Sequence, residues 1–127
     1  MSLPSLLIIE KDENLLTELC ELCELFFPCV CGVLNTQEAS IQYDKKTPSV
    51  ILIDINSYNI QDIQFLTDIR EKNKKIKFLF LSSSKLEQNL QVQLDILDIH
   101  KYFFKPFINE SFLTLISSLS QNGKLAS

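Results

Sequence analysis

Runs of apolar residues alternate along this chain with segments whose apolar positions recur every three to four residues. The first run, SLLIIE at 5–10, reads as a buried strand. Residues 13–27 follow as a helix, with Leu15, Leu19, Leu22 and Phe26 on one face and Glu18, Glu21 and Glu24 on the other. Pro28 stops that helix, because it has no N–H to donate and disfavours helical geometry in the residue before it. A second strand is predicted at 29–34, after which Asn35 or Thr36 can cap a helix over 36–45. VILIDI at 50–55 is the strongest strand pattern, β-branched and apolar on both faces up to its acid. Helical spacing returns over 60–72 through Ile63, Leu66 and Ile69, and KFLFLS at 77–82 makes a fourth strand. Leu86, Leu90, Leu94 and Leu97 mark a fourth helix, and HKYFF at 100–104 a fifth strand. Beyond Pro106, Phe112, Leu115, Ile116 and Leu119 mark a last amphipathic helix, and the patternless GKLAS tail is expected to fray.

Five strand–helix units with short connections, and strands apolar on both faces, predict an α/β protein: a parallel five-stranded sheet sandwiched between two helical layers. Right-handed crossovers leave few topologies, of which the flavodoxin-like order 2-1-3-4-5 is the commonest for five units and is the one expected. In such a sheet ligands meet the C-terminal ends of the strands, near the reversal between strands 1 and 3. A length of 127 residues suits one domain over 1–127, with its core at about 5–120.

Composition narrows the function classes. With 46% apolar residues, two glycines and four prolines, the chain is globular rather than disordered or fibrous. No uncharged apolar stretch approaches the ~20 residues of a membrane span, and no basic-apolar leader opens the chain, so membrane insertion is not expected and a cytoplasmic location is. The net charge is −4, with lysines interleaved among acids, which argues against a phosphate-binding stripe for nucleic acid. Only Arg70 to Lys77 is basic, as helix ends commonly are. Cysteines stand at 20, 23, 29 and 31. They suit either a four-thiolate zinc or iron–sulfur site, or a helical stripe of Leu16, Cys20, Cys23 and Phe27 with the other two thiols on the next strand. A CxxC pair in mid-helix lacks the helix N-terminus that lowers a redox thiol's pKa.

The predicted strand ends collect polar chemistry: Glu10, Lys11 and Asp12 after strand 1, Asp54 on strand 3, Ser82, Ser83 and Ser84 on strand 4, and Lys105 after strand 5. Singly, Asp12 can cap the first helix, Ser84 the fourth, and Lys105 can be surface charge. Asp54 is harder to dismiss, since an acid closing an apolar strand needs a partner or a solvent cleft. Together LLIIEKDENL, VILIDIN, FLFLSSS and YFFKPF, in that order over 5–120, resemble the receiver domain of bacterial two-component response regulators, in a divergent, single-domain, chemotaxis-type form.

The resemblance implies a phosphorelay component rather than an enzyme. Asp54 would accept a phosphoryl group from a sensor histidine kinase or phosphotransfer protein as a carboxylate nucleophile. Lys105 would pair with the phosphoryl oxygens, Ser82 would hydrogen-bond them, and Tyr102 would be the aromatic switch. Glu10, Asp54 and the carbonyl of Asn56 would bind Mg²⁺, and a downstream protein would dock on the face of the fourth helix, fifth strand and last helix.

Lys11 stands where the resemblance implies a second metal-binding acid. The exchange alters the local charge by two units, each worth roughly 4 kcal/mol at ~4 Å and an effective dielectric near 20, so Mg²⁺ is expected to bind weakly or not at all. Three arrangements are open: the ammonium pairs with Asp54 or Glu10 and replaces the metal, it snorkels into solvent while Glu10 and Asp54 hold Mg²⁺ weakly, or Asp12 is re-aimed as a ligand. Further departures are Tyr58 and Asp62, where proline and glycine are implied, and Asp98 and Ile99, where Gly-Ala is implied before Tyr102. His100, at the start of the fifth strand, is expected to serve packing or solvent contact. Two other functions remain in play: a phosphorylation-independent pseudo-receiver that binds protein, and a cysteine metal or redox protein on the same fold. A flavin site is less favoured, since acids after strand 1 repel a flavin phosphate.

Overall fold

The computed structural model describes residues 4–54, 60–82, 92, 95–104 and 109–120. Its strands are β1 (Ser5–Ile9), β2 (Cys29–Val33), β3 (Val50–Asp54), β4 (Lys77–Ser82) and β5 (Lys101–Phe104), and its helices α1 (Glu13–Cys23), α2 (Thr36–Lys45), α3 (Ile60–Lys72) and α4 (Glu110–Ser120). The strands form one parallel sheet in the order β2-β1-β3-β4-β5, as the double-sided apolar runs require. The helix marked by Leu86 to Leu97 falls mostly outside the described residues, although Val92, Asp95 and Ile96 are helical. Lys105, Pro106 and the tail from Gln121 also lie outside them. No helix among the described residues is long and apolar enough to cross a membrane.

Alternation along the strands divides the core into two layers. Leu7, Ile51, Ile53, Phe78 and Phe80 pack with Ala39 of α2 and Leu66 of α3 on one face. Leu6, Ile8, Leu52, Leu79 and Leu81 pack with Leu19 of α1 and Phe112 of α4 on the other.

Local chemistry sets the helix starts. Asp12 caps α1, its Oδ1 accepting from the amides of Asn14 at 2.9 Å and Leu15 at 3.2 Å. Asn35, rather than Thr36, caps α2 by accepting from the Glu38 amide, while Glu38 Oε2 accepts from the Leu34 amide. At its far end α1 stops at Cys23, short of the expected Phe27. The amides of Leu25 and Phe26 reach back three residues, to the carbonyls of Leu22 and Cys23, and tighten the chain into a turn before Pro28.

Buried Arg70 ties the end of α3 to the turn before β5. Its guanidinium donates to the carbonyls of Leu97 at 2.8 Å, Asn73 at 3.3 Å and Asp98 at 3.5 Å, and lies 4.1 Å over the Phe78 ring. Asp98 has φ 58°, a left-handed conformation at a position where the resemblance implies glycine. Asp98→Val should therefore cost about 1–2 kcal/mol in urea unfolding, because a β-branched side chain resists that backbone, whereas Asp98→Gly should be nearly neutral.

Candidate functional site

The sheet's C-terminal edge gathers buried polar groups. Ile9 pairs with Ile53, so Glu10, one step beyond β1, stands beside Asp54 at the end of β3. The Glu10 amide still donates to the Val33 carbonyl at 3.0 Å, which holds Glu10 against β2 even though β1 itself ends at Ile9. Asp54 pairs with Leu81, which puts Ser82 at the adjoining strand end. Exposures of 2% for Glu10, 7% for Asp54 and 4% for Ser82 show how deeply the three sit at this edge. Two of the implied site residues, Asn56 and Lys105, lie outside the described residues.

Lys11 has a partner that none of the three sequence-based arrangements names. Its Nζ is 4.0 Å from Oδ2 of Asp62, in the first turn of α3, with side-chain exposures of 54% and 6%. Its own backbone N–H donates to Glu10 Oε2 at 3.0 Å. The Thr36 side chain, at the start of α2, is near enough to the Asp62 carboxylate to lower its pKa. Burial raises the pKa of Asp62, while Lys11 and then Thr36 pull it back. Asp12 is exposed, and its Oδ1 is taken up by the α1 cap.

In the sequence Asp62 stands out only as a departure at a position where the resemblance implies glycine. The pattern that pointed to more was a matched pair of changes, an acid lost at Lys11 and an acid gained at Asp62. Two carboxylates can hold a hydrated Mg²⁺, but an ammonium on the residue next to Glu10 opposes a second cation at that rim. The residues present are a poor fit to a tightly bound metal because of charge, not through lack of oxygen donors.

Tyr102 pairs in register with Phe80, and their rings meet edge-on with centroids 5.9 Å apart. Strand alternation places Ser82 two residues beyond Phe80 on the same sheet face, so hydroxyl and aromatic share one side of β4 and β5. The Tyr102 hydroxyl is buried and makes no hydrogen bond among the described residues. Burial, and then Asp95, push its pKa up, which keeps it a neutral phenol.

His100 is exposed, at the opposite edge from Asp54, and its amide donates to the Phe78 carbonyl at 2.9 Å. Burial is the first cause, and Lys77 and Lys101 are further causes, of a lowered imidazole pKa there.

The four cysteines are free thiols. Cys23 is buried and Cys20 packs at the margin of the same α1-side layer, with Cys20 so close to β2 that a Cβ on Gly32 would lie 2.5 Å from its Sγ. Cys31 packs into the opposite layer. Burial pushes the Cys23 thiol up to about 12 and raises Cys20 and Cys31, so these thiols resist forming the nucleophilic thiolate. Among the described residues, which include all four cysteines, no three His, Cys, Asp or Glu side chains are grouped to hold a metal.

The sequence matches the family described as the response regulator receiver domain over residues 6–117. No curated protein matches it. Among solved structures, the N-terminal domain of an uncharacterized protein from Wolinella succinogenes is similar at a TM-score of 0.83 and 22% identity, covering 98% of each chain. A DNA-binding response regulator of the LuxR family from Staphylococcus aureus gives a TM-score of 0.76 at 22% identity, over 93% of this chain and 99% of that one. Chemotaxis protein CheY4 of Vibrio cholerae gives 0.77 at 16% identity, over 93% and 99%. At these identities what is shared is the fold.

Proposed function

Because the chain belongs to the response regulator receiver domain family, whose members work in phosphorelay signalling, we propose that Asp54 is its phosphoacceptor. The observation that carries this reading is the burial of Asp54 beside Glu10 and Ser82 at one strand edge. A carboxylate oxygen of Asp54 attacks phosphorus, the bond from phosphorus to the donor's histidine nitrogen breaks, and that nitrogen keeps the electron pair. Ser82, at the end of β4, donates its hydroxyl to the transferred group, and Lys105 supplies positive charge.

Mg²⁺, where a receiver binds it, supplies charge against the phosphoryl oxygens, and here Glu10, Asp54 and the Asn56 carbonyl would be its ligands. The adjoining Lys11 makes that binding weak. The domain relays a signal and is not itself a turnover enzyme. It acts in the cytoplasm with a histidine kinase or phosphotransfer protein upstream. Exposed Val92 and Ile96, one helical turn apart, together with exposed Phe104 at the end of β5, offer an apolar surface for the downstream protein.

Incubation with acetyl phosphate, read by intact mass, tests the reading. A mass gain of about 80 Da, one phosphoryl group, is expected in the wild type and absent in Asp54→Asn. No gain under any condition would favour the second reading, a phosphorylation-independent binding module. The Lys11–Asp62 pair supports that alternative, since it neutralises the rim without any phosphoryl chemistry.

A further inference from the structure

Two departures from the family pattern meet next to Glu10, the neighbour of Asp54 at the sheet's edge. Lys11 belongs to the connection between β1 and α1, Asp62 to the first turn of α3, and Thr36 to the first turn of α2, so three chain segments close on one carboxylate. A carboxylate this enclosed needs a polar neighbour or a cation, and Asp62 has both. Lys11 has a long stem and a half-exposed head, so nothing in its own backbone dictates where the ammonium settles. Asp62 is the anchor and Lys11 the arm.

We propose that Asp62 is a positioning residue that draws the Lys11 ammonium to the start of α3, beside Glu10 and Asp54 rather than onto them, so that the chain's own cation opposes a divalent metal there without filling its place. The proposal rests on reading the Glu10 and Asp54 edge as a receiver pocket. Its consequences run in opposite directions for the two partners. Without the Lys11 charge, Glu10 and Asp62 share a rim that no longer repels a divalent ion. Without the Asp62 charge, Lys11 is free to turn toward Glu10 and Asp54, and a metal is opposed still more.

The test is Mn²⁺ titration of the full chain, read by the electron paramagnetic signal of free Mn²⁺, together with thermal midpoints. Lys11→Met should bind Mn²⁺ at least about tenfold more tightly than the wild type, since a unit charge at this range outweighs the energy of one decade in affinity. Asp62→Asn should bind Mn²⁺ more weakly than the wild type, and an unchanged affinity overturns the positioning role of Asp62. Lys11→Asp alone should lower the thermal midpoint by setting two carboxylates together, and adding Asp62→Lys should restore most of the loss. Wild-type Mn²⁺ affinity equal to that of Lys11→Met overturns the proposal, and so does strict additivity in the charge-reversed pair. None of these measurements uses a phosphoryl donor. A missing Asp54 adduct alongside the expected Mn²⁺ pattern therefore overturns only the phosphoacceptor reading, and an adduct alongside tight wild-type Mn²⁺ binding overturns only the role of Asp62.

Discussion

Phe112→Ala should destabilise the domain by roughly 3–5 kcal/mol, a large part of the 5–15 kcal/mol that holds an ordinary domain folded. Phe112 is fully buried on α4, and its ring meets Phe103 of β5 edge-on at 5.1 Å between centroids. Its amide donates to Oδ1 of Asn109, so side chain and backbone both pin the start of the helix. Truncation would leave a cavity between α4 and the sheet and remove the aromatic pair, two losses that add. Phe112→Leu keeps most of the volume and should cost about 1.5 kcal/mol or less. Urea unfolding followed by circular dichroism separates the two variants. Midpoints for Ala and Leu both equal to that of the wild type would show that α4 does not depend on this ring.

Arg70→Met should cost about 2–4 kcal/mol, although it keeps the length and apolar stem of the side chain. The loss is of donors. The Leu97 carbonyl would be left buried without the 2.8 Å guanidinium bond, the bonds to Asn73 and Asp98 would go, and so would the cation over Phe78. Lysine should not rescue the variant, because a single ammonium cannot reach three carbonyls fixed around a planar fork. Hydrogen exchange gives a second measure. The His100 amide, bonded to the Phe78 carbonyl just after the clasped turn, should exchange faster in Arg70→Met. Full rescue by Arg70→Lys would mean that charge alone matters at this position. Because β5 carries Tyr102, the clasp also sets how firmly the proposed switch residue is held.

Much of the fold is legible because strands and helices write their burial into local periodicity. VILID shows no polar position before its acid, and in the structure all five residues of β3 are buried at the centre of the sheet. The face of Leu15, Leu19 and Leu22 and the stripe of Leu16, Cys20 and Cys23 both pack inward on α1, where only Leu19 and Cys23 are fully buried. The end of α1 was less legible, because Pro28 limits how far a helix can run without saying where its hydrogen bonds begin to tighten. The sequence offers Asn35 and Thr36 equally as caps of α2, since both carry a side-chain oxygen that can accept from a first-turn amide. Packing assigned the cap to Asn35 and left Thr36 near Asp62.

The site divides in the same way. Glu10, Asp54 and Ser82 could be placed at one edge from the sequence, since each closes a strand and parallel strands end together. Sequence by itself thus determined the succession of strands and helices, the burial of β3 on both faces, and which polar groups close a strand, because those follow from periodicities of two and 3.6 along a single chain. The strand order was expected as the commonest that right-handed crossovers allow. Only the tertiary structure decided that Lys11 meets Asp62 and that Thr36 comes near the same carboxylate. Such a pairing depends on how three loop–helix junctions approach one another, and a lysine's flexible stem takes its direction from whatever charge the packed structure puts within reach.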